Sequence, residues 1–209
     1  MTHVATVVDA NRLWVDSPVR ARAQELFEAR ELLALGGRLT GGSAHQVRAL
    51  EIGAGRKGTG IRLALTAFGA DRVDAVELHP GSVAAALDAT VDLARVRTVE
   101  VGDARSLAAA DGTYDAVFCY HLLHHSPQWR RAVDEAARVL RPGGRFYVCE
   151  MTARFVDSAP LRAVSRHPDD GDRPTPDTLA EAVRAAGLQV LGQRTRFRGW
   201  WTALAAVRP

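Results

Sequence analysis

The chain has 209 residues, 47% of them hydrophobic, which is ordinary for a globular protein and suits one α/β unit with small additions. No apolar run is long enough to span a bilayer, and Met1 to Asp9 lacks the basic start and apolar core of a secretory signal. The net charge of +3 comes from interspersed acids and bases with no dense basic tract and few neighbouring aromatics, which argues against a nucleic-acid substrate. Two cysteines make no disulfide framework, so Cys119 and Cys149 are expected as buried thiols in a reducing, cytoplasmic setting.

Residues 1–16 show little periodicity, with Trp14 standing out. Ser17-Pro18 reads as a helix start, with Val19, Ala23, Leu26, Phe27, Leu33 and Ala34 at helical spacing and Gly36-Gly37 as the stop. A turn-rich link over 38–46 leads to a strand at 47–52, a glycine turn, and a helix at 59–68 closed by Gly69. A second strand (73–77) is followed by the turn His79-Pro-Gly-Ser82 and a helix over about 82–94. Strands at 97–102 and 114–119 come next. Ser126-Pro127 caps a helix at 128–140 whose apolar stripe is Trp129, Ala132, Val133, Ala136 and Val139. Arg141-Pro-Gly-Gly144 ends it before a strand at 145–150.

Residues 151–176 are irregular, and Pro176-Asp177 opens a helix to Ala186 that Gly187 ends. Two strands, 188–196 and 201–207, are separated only by Phe197-Arg-Gly-Trp200. So short a link requires an antiparallel hairpin, because a parallel crossover needs a dozen or more residues.

The chemistry gathers where the strands end. In Glu51-Ile-Gly-Ala-Gly-Arg-Lys-Gly58, Gly53 and Gly55 allow a sharp turn and close approach to a ligand, and the next helix offers unpaired N–H groups. Glu77 ends a strand about twenty residues beyond the loop, the spacing that holds a ribose diol. Asp103 ends the third strand and is suited to accept from an exocyclic amine. In an open parallel sheet, that edge is where ligands bind.

Taken together, Leu50-Glu-Ile-Gly-Ala-Gly55, Glu77 followed by Pro80, Val101-Gly-Asp103, Tyr114-Asp-Ala-Val-Phe118, Leu122-Leu-His-His125 and Arg138-Val-Leu-Arg-Pro-Gly-Gly144 resemble the class I S-adenosylmethionine (SAM)-dependent methyltransferases, of a small, single-domain, type 11/25-like kind. The resemblance implies an α/β Rossmann-like three-layer sandwich with a seven-stranded, mostly parallel sheet and an antiparallel C-terminal hairpin. It implies one domain: a helical cap (1–46), a cofactor-binding core (47–150) and a substrate-shaping segment with the hairpin (151–209). It places the Gly53–Gly55 loop, Ala54 included, against the methionine part of SAM, Glu77 at the ribose, and Asp103 and Ala104 at the adenine, with Glu51, Leu78 and Tyr120 also at the cofactor.

Lys57 stands where the family often has a third glycine, suited either to the methionine carboxylate or to solvent, and His79 stands where another acid is common. Tyr120, His121, His125 and Glu150 are the catalytic candidates, His121 as general base and Glu150 as a substrate-amine ligand, a histidine orienter or an ion-pair partner. His124 reads as structural. His121, His125 and Glu150 lack the spacing of a metal site, so no metal is expected. Arg154, Phe155, Arg162, His167-Pro168, Arg173-Pro-Thr175 and Trp200 are weaker candidates for shaping the substrate pocket.

The function implied is methyl transfer from SAM to an O, N or C atom of a small organic molecule, in keeping with specialised metabolism, with S-adenosylhomocysteine as product and no membrane partner. The alternatives are a SAM-bound enzyme of this fold catalysing a cyclisation or isomerisation, and a non-catalytic SAM-binding protein. Asp103 and the terminal hairpin argue against an NAD-dependent oxidoreductase.

Overall fold

The computed structural model describes residues 22, 24–41, 45–159 and 172–209. The expectations at Trp14, Ser17-Pro18, Val19, Ala23, Arg162 and His167-Pro168 lie outside the described residues. Seven strands form one sheet in the order β3-β2-β1-β4-β5-β7-β6. They are β1 (Arg48–Ile52), β2 (Arg72–Glu77), β3 (Val96–Val101), β4 (Tyr114–Tyr120), β5 (Leu140–Met151), β6 (Gln189–Arg196) and β7 (Trp201–Val207). The pairs β1–β2, β2–β3, β1–β4 and β4–β5 are parallel, whereas β5–β7 and β6–β7 are antiparallel. The short link after β6 therefore makes the expected hairpin, with Phe197, Arg198 and Gly199 all at positive φ to turn the chain.

Helices cover both faces. One face packs against α1 (Ala29–Gly36, entered through a π-turn at Gln24–Glu28), α2 (Thr59–Leu63, continued as a π-turn over Ala64–Phe68) and α3 (Pro80–Ala89). The other packs against α4 (Trp129–Val139) and α6 (Pro176–Ala185), while α5 (Ala153–Val156) is a single turn after β5. Trp129, Ala132, Val133, Ala136 and Val139 of α4 are fully buried, as their spacing requires. Thr175 and Thr178 form a reciprocal capping box at the start of α6. Among the described residues no helix is long and apolar enough to cross a membrane.

Three boundaries differ from the sequence expectation by more than one residue. Helix α3 starts at Pro80, because proline is pre-set for the first helical position. It stops at Ala89, well before residue 94: Thr90 leaves the helical region at φ −119° while its hydroxyl bonds the Ala86 carbonyl. Strand β5 begins at Leu140, paired with Tyr114, and Arg145 pairs with Ala116, so residues 141–144 bulge from the ladder and do not simply end the helix.

Candidate cofactor and acceptor site

The glycine turn leaves β1 and is held to its neighbour β2. The Gly53 amide donates to the Val76 carbonyl at 2.9 Å, and the Gly55 amide donates to Glu77 Oε2 at 3.0 Å. Glu77 Oε1 accepts the His79 amide at 3.1 Å, so one carboxylate ties two loops together. Its two oxygens still have acceptor capacity, since an ionised carboxylate offers about four lone-pair sites. Gly55 lies at φ +59°, and a Cβ added there would meet nothing within 4 Å, so the bare backbone faces open space. From β3, Gly102 donates to the Glu77 carbonyl at 3.1 Å, which sets Asp103 beside the same space.

These loops surround a cavity of about 480 Å³ at the carboxyl ends of the strands, a size typical of small-molecule sites. Of the residues singled out in the sequence, Gly53, Gly55, Glu77, Leu78, Asp103, Ala104, Tyr120, His121 and His125 line it. Glu51, Ala54, Lys57 and Glu150 do not. Arg105, absent from the sequence reading, lines it too and holds Asp103 through Nε at 3.0 Å and Nη2 at 2.7 Å. That guanidinium holds the Asp103 carboxyl below its usual range, keeping it an anion, and Arg105 also reaches the Pro127 carbonyl at 3.3 Å. An arginine two residues after a strand-end acid was the available signal.

At the end of β4 the backbone turns left-handed, with His121 at φ +53°. The His121 amide donates to the Cys149 carbonyl at 2.9 Å, and its ring Nε2 lies 2.7 Å from Glu28 Oε1. Sequence reasoning missed Glu28, which lies 93 positions away; its one local mark is an acid four residues before the buried Leu32 of α1. Tyr120 is buried and its hydroxyl has no hydrogen-bond partner. Burial, together with the nearby Cys149 and Glu28, pushes that phenol well above its usual range, so it stays a neutral donor.

Glu150, expected at the cleft, is instead fully buried. Its Oε2 accepts the Leu123 amide at 2.7 Å, its Oε1 accepts the Met151 amide at 2.8 Å, and Oε1 also pairs with His124 Nδ1. It thus orients a histidine, but the one turned away from the cavity lining. His125 is exposed and lines the same cavity as His121.

Glu51 packs beneath the start of α2, where a Cβ on Gly60 would fall 2.0 Å from Glu51 Oε1. Burial raises the Glu51 carboxyl well above its usual range, and its Oε2 has no hydrogen-bond partner. A carboxyl raised in this way binds its proton more tightly folded than unfolded, so it erodes stability as pH climbs through the ordinary carboxylate range. In the ligand-free protein, Glu51→Gln is expected to raise the urea midpoint at neutral pH and to change it little near about pH 4. Urea titrations of both proteins at the two pH values check this; a lower midpoint at neutral pH would mean that the ionised carboxylate is held.

The glycine loop, Glu77 and Asp103 thus border one space. Residues 50–148 match the family model of a methyltransferase domain. Over that span, just under half of its length, the chain is similar to a methyltransferase domain. The chain is 36% identical over 130 residues to a demethylmenaquinone methyltransferase of Mycolicibacterium paratuberculosis, covering 52% of this chain and 56% of that one. It thus spans about half the length of that curated relative.

The fold superposes on the crystal structure of a SAM-dependent methyltransferase from Aquifex aeolicus with a TM-score of 0.68 at 16% identity, over 98% of both chains. It superposes on the 4+2 cyclase SpnF with a TM-score of 0.66 at 22% identity, over 90% of this chain and 81% of that one. At such identities these two likenesses establish the fold alone.

Proposed function

We propose that the protein is an enzyme that methylates a small organic molecule, using SAM as donor. The observation carrying this reading is the single cavity bordered by the glycine loop, Glu77 and Asp103 on one side and by Tyr120 and His121 on the other. When bound, SAM supplies a methyl carbon made electrophilic by its sulfonium. The chain has to hold and align the reactants and keep water out, because a well-oriented pair needs little further help.

In this reading Gly53 and Gly55 receive the methionine part against bare backbone, Glu77 accepts from the ribose hydroxyls, and Asp103 with Ala104 and Leu78 borders the adenine. Tyr120 and His121 stand at the acceptor side, where α1 reaches the same edge through Glu28. The predominantly apolar lining and the cavity's size favour a small molecule over a polymer.

Calorimetric titration with SAM, S-adenosylhomocysteine and NAD tests the pocket, followed by assays of methyl-labelled SAM against phenols, amines and carboxylic acids. Binding of SAM and its product with labelled acceptor formed is the expected result. Binding of NAD alone would sink the reading. Cofactor binding without consumption, alongside rearrangement of a substrate, would favour a non-methylating enzyme.

A further inference from the structure

The corner of the cavity beyond β3 holds a charged pair, and the methyltransferase reading gives one partner, Arg105, no task. Asp103 and Arg105 both line the cavity, with side chains 33% and 31% exposed, so each is open to a ligand. The carboxylate is heavily engaged. Its Oδ1 accepts the Arg105 amide at 2.9 Å and Nε at 3.0 Å, while Oδ2 accepts Nη2 at 2.7 Å and Nε at 3.1 Å. Arg105 Nη1 donates to the Pro127 carbonyl at 3.3 Å, which ties the guanidinium to the loop after β4. One arginine therefore spans two loops of the same cavity and is held at both.

The groups left over define what this corner can bind. A guanidinium carries five N–H groups; Nε and one on Nη2 are committed to Asp103 and one on Nη1 to Pro127, so two remain. An ionised carboxylate has about four lone-pair sites, and the Arg105 amide, Nε and Nη2 take three, so about one remains on Asp103. The pair thus offers a ligand both a donor and an acceptor. Adenine shows a donor at its 6-amine and an acceptor at N1. Hypoxanthine shows the same two in exchanged places, an acceptor carbonyl at position 6 and a donor at N1–H. A lone carboxylate suits the amine only, because a carbonyl set against it meets like partial charge and finds no donor.

We propose that Arg105 is a specificity-determining residue that relaxes the choice of base: the corner takes a purine nucleoside with either an amine or a carbonyl at position 6. This rests on the methyltransferase reading, in which Asp103 borders the base. An adenine donates its amine to the remaining lone pair of Asp103 and accepts at N1 from Arg105. A hypoxanthine accepts at its carbonyl from Arg105 and donates N1–H to Asp103. The ion pair stays intact in both cases, so neither base has to displace a charge-assisted contact. Val76, Leu78 and Ala104 line the same cavity and carry no side-chain group that tells the two bases apart.

The test titrates S-adenosylhomocysteine and S-inosylhomocysteine, which differ only in this edge of the base, into wild type, Arg105→Ala and Arg105→Lys by calorimetry. Wild type is expected to bind the two with affinities within about fivefold of each other. In Arg105→Ala the ratio is expected to move by about tenfold or more towards adenine, the worth of one lost contact to the carbonyl. Arg105→Lys keeps the charge and a donor, and should bring the ratio back towards the wild-type value. A wild-type preference for adenine beyond about fivefold would overturn the proposal. So would an unchanged ratio in Arg105→Ala, even with both affinities lowered, since a residue that merely braces two loops weakens both ligands alike. Adenosine and inosine, titrated into wild type, keep the two readings apart. Matched binding of these nucleosides with no uptake of S-adenosylhomocysteine would sink the methyltransferase reading and leave the base site standing. No binding of any of the four would overturn both.

Discussion

Glu77→Ala is expected to weaken S-adenosylhomocysteine binding by about a hundredfold. Hydrogen bonds to an ionised carboxylate are worth about 1.5–3 kcal/mol each, and about 1.4 kcal/mol is a factor of ten in affinity. The ribose diol loses its charged partner. In addition, the Gly55 and His79 amides lose the acceptor that holds them at 3.0 and 3.1 Å, so the loop beneath the ligand slackens as well. Global stability should change by only about 1 kcal/mol, because Glu77 is half-buried at a sheet edge and both amides can turn to water. Calorimetry with a parallel thermal melt separates the two effects. An affinity within about threefold of wild type, in a protein of normal stability, would place the nucleoside elsewhere.

What could be read from the chain follows from how parallel sheets gather their ends. Glu77 and Asp103 finish separate strands, and any parallel arrangement brings those ends to one edge, so their meeting with the glycine loop needed no coordinates. The hairpin was legible for a similar reason, since the four-residue link allowed no crossover. Contacts made across the fold were not legible. Glu28 meets His121 only because α1 packs across β5, β6 and β7, and its place four residues before Leu32 marks a buried face without naming the partner. Glu150 was placed at a strand end because the apolar run stops there. The antiparallel partner β7 extends the ladder, pairing Thr202 with Glu150 and Trp201 with Met151, so the carboxylate sits inside the sheet. Arg105 shows a third limit: the sequence marks Asp103 as an acceptor for the adenine but not that a guanidinium bordering the same cavity already holds it.

Glu150→Ala is expected to destabilise the folded protein by about 3–5 kcal/mol, the range for removing one partner of a buried charged network. Three donors lose their acceptor at once: the Leu123 and Met151 amides and the His124 ring. Water cannot readily replace it, because Glu150 is 0% and His124 8% exposed. At about 2–4 °C per kcal/mol for a chain of this size, the melting midpoint should fall by about 10 °C. Glu150→Gln keeps one acceptor oxygen and should lose less.

The site would suffer only through the loop that Glu150 anchors, because Leu122, His125, Ser126 and Pro127 line the cavity and Glu150 does not. Cofactor affinity should therefore recover when the alanine variant is assayed well below its melting midpoint. A variant with wild-type stability but no turnover would instead make Glu150 a participant in the chemistry. Its burial argues for the first outcome: a carboxylate that already accepts from two amides and a histidine has little acceptor capacity left for a substrate.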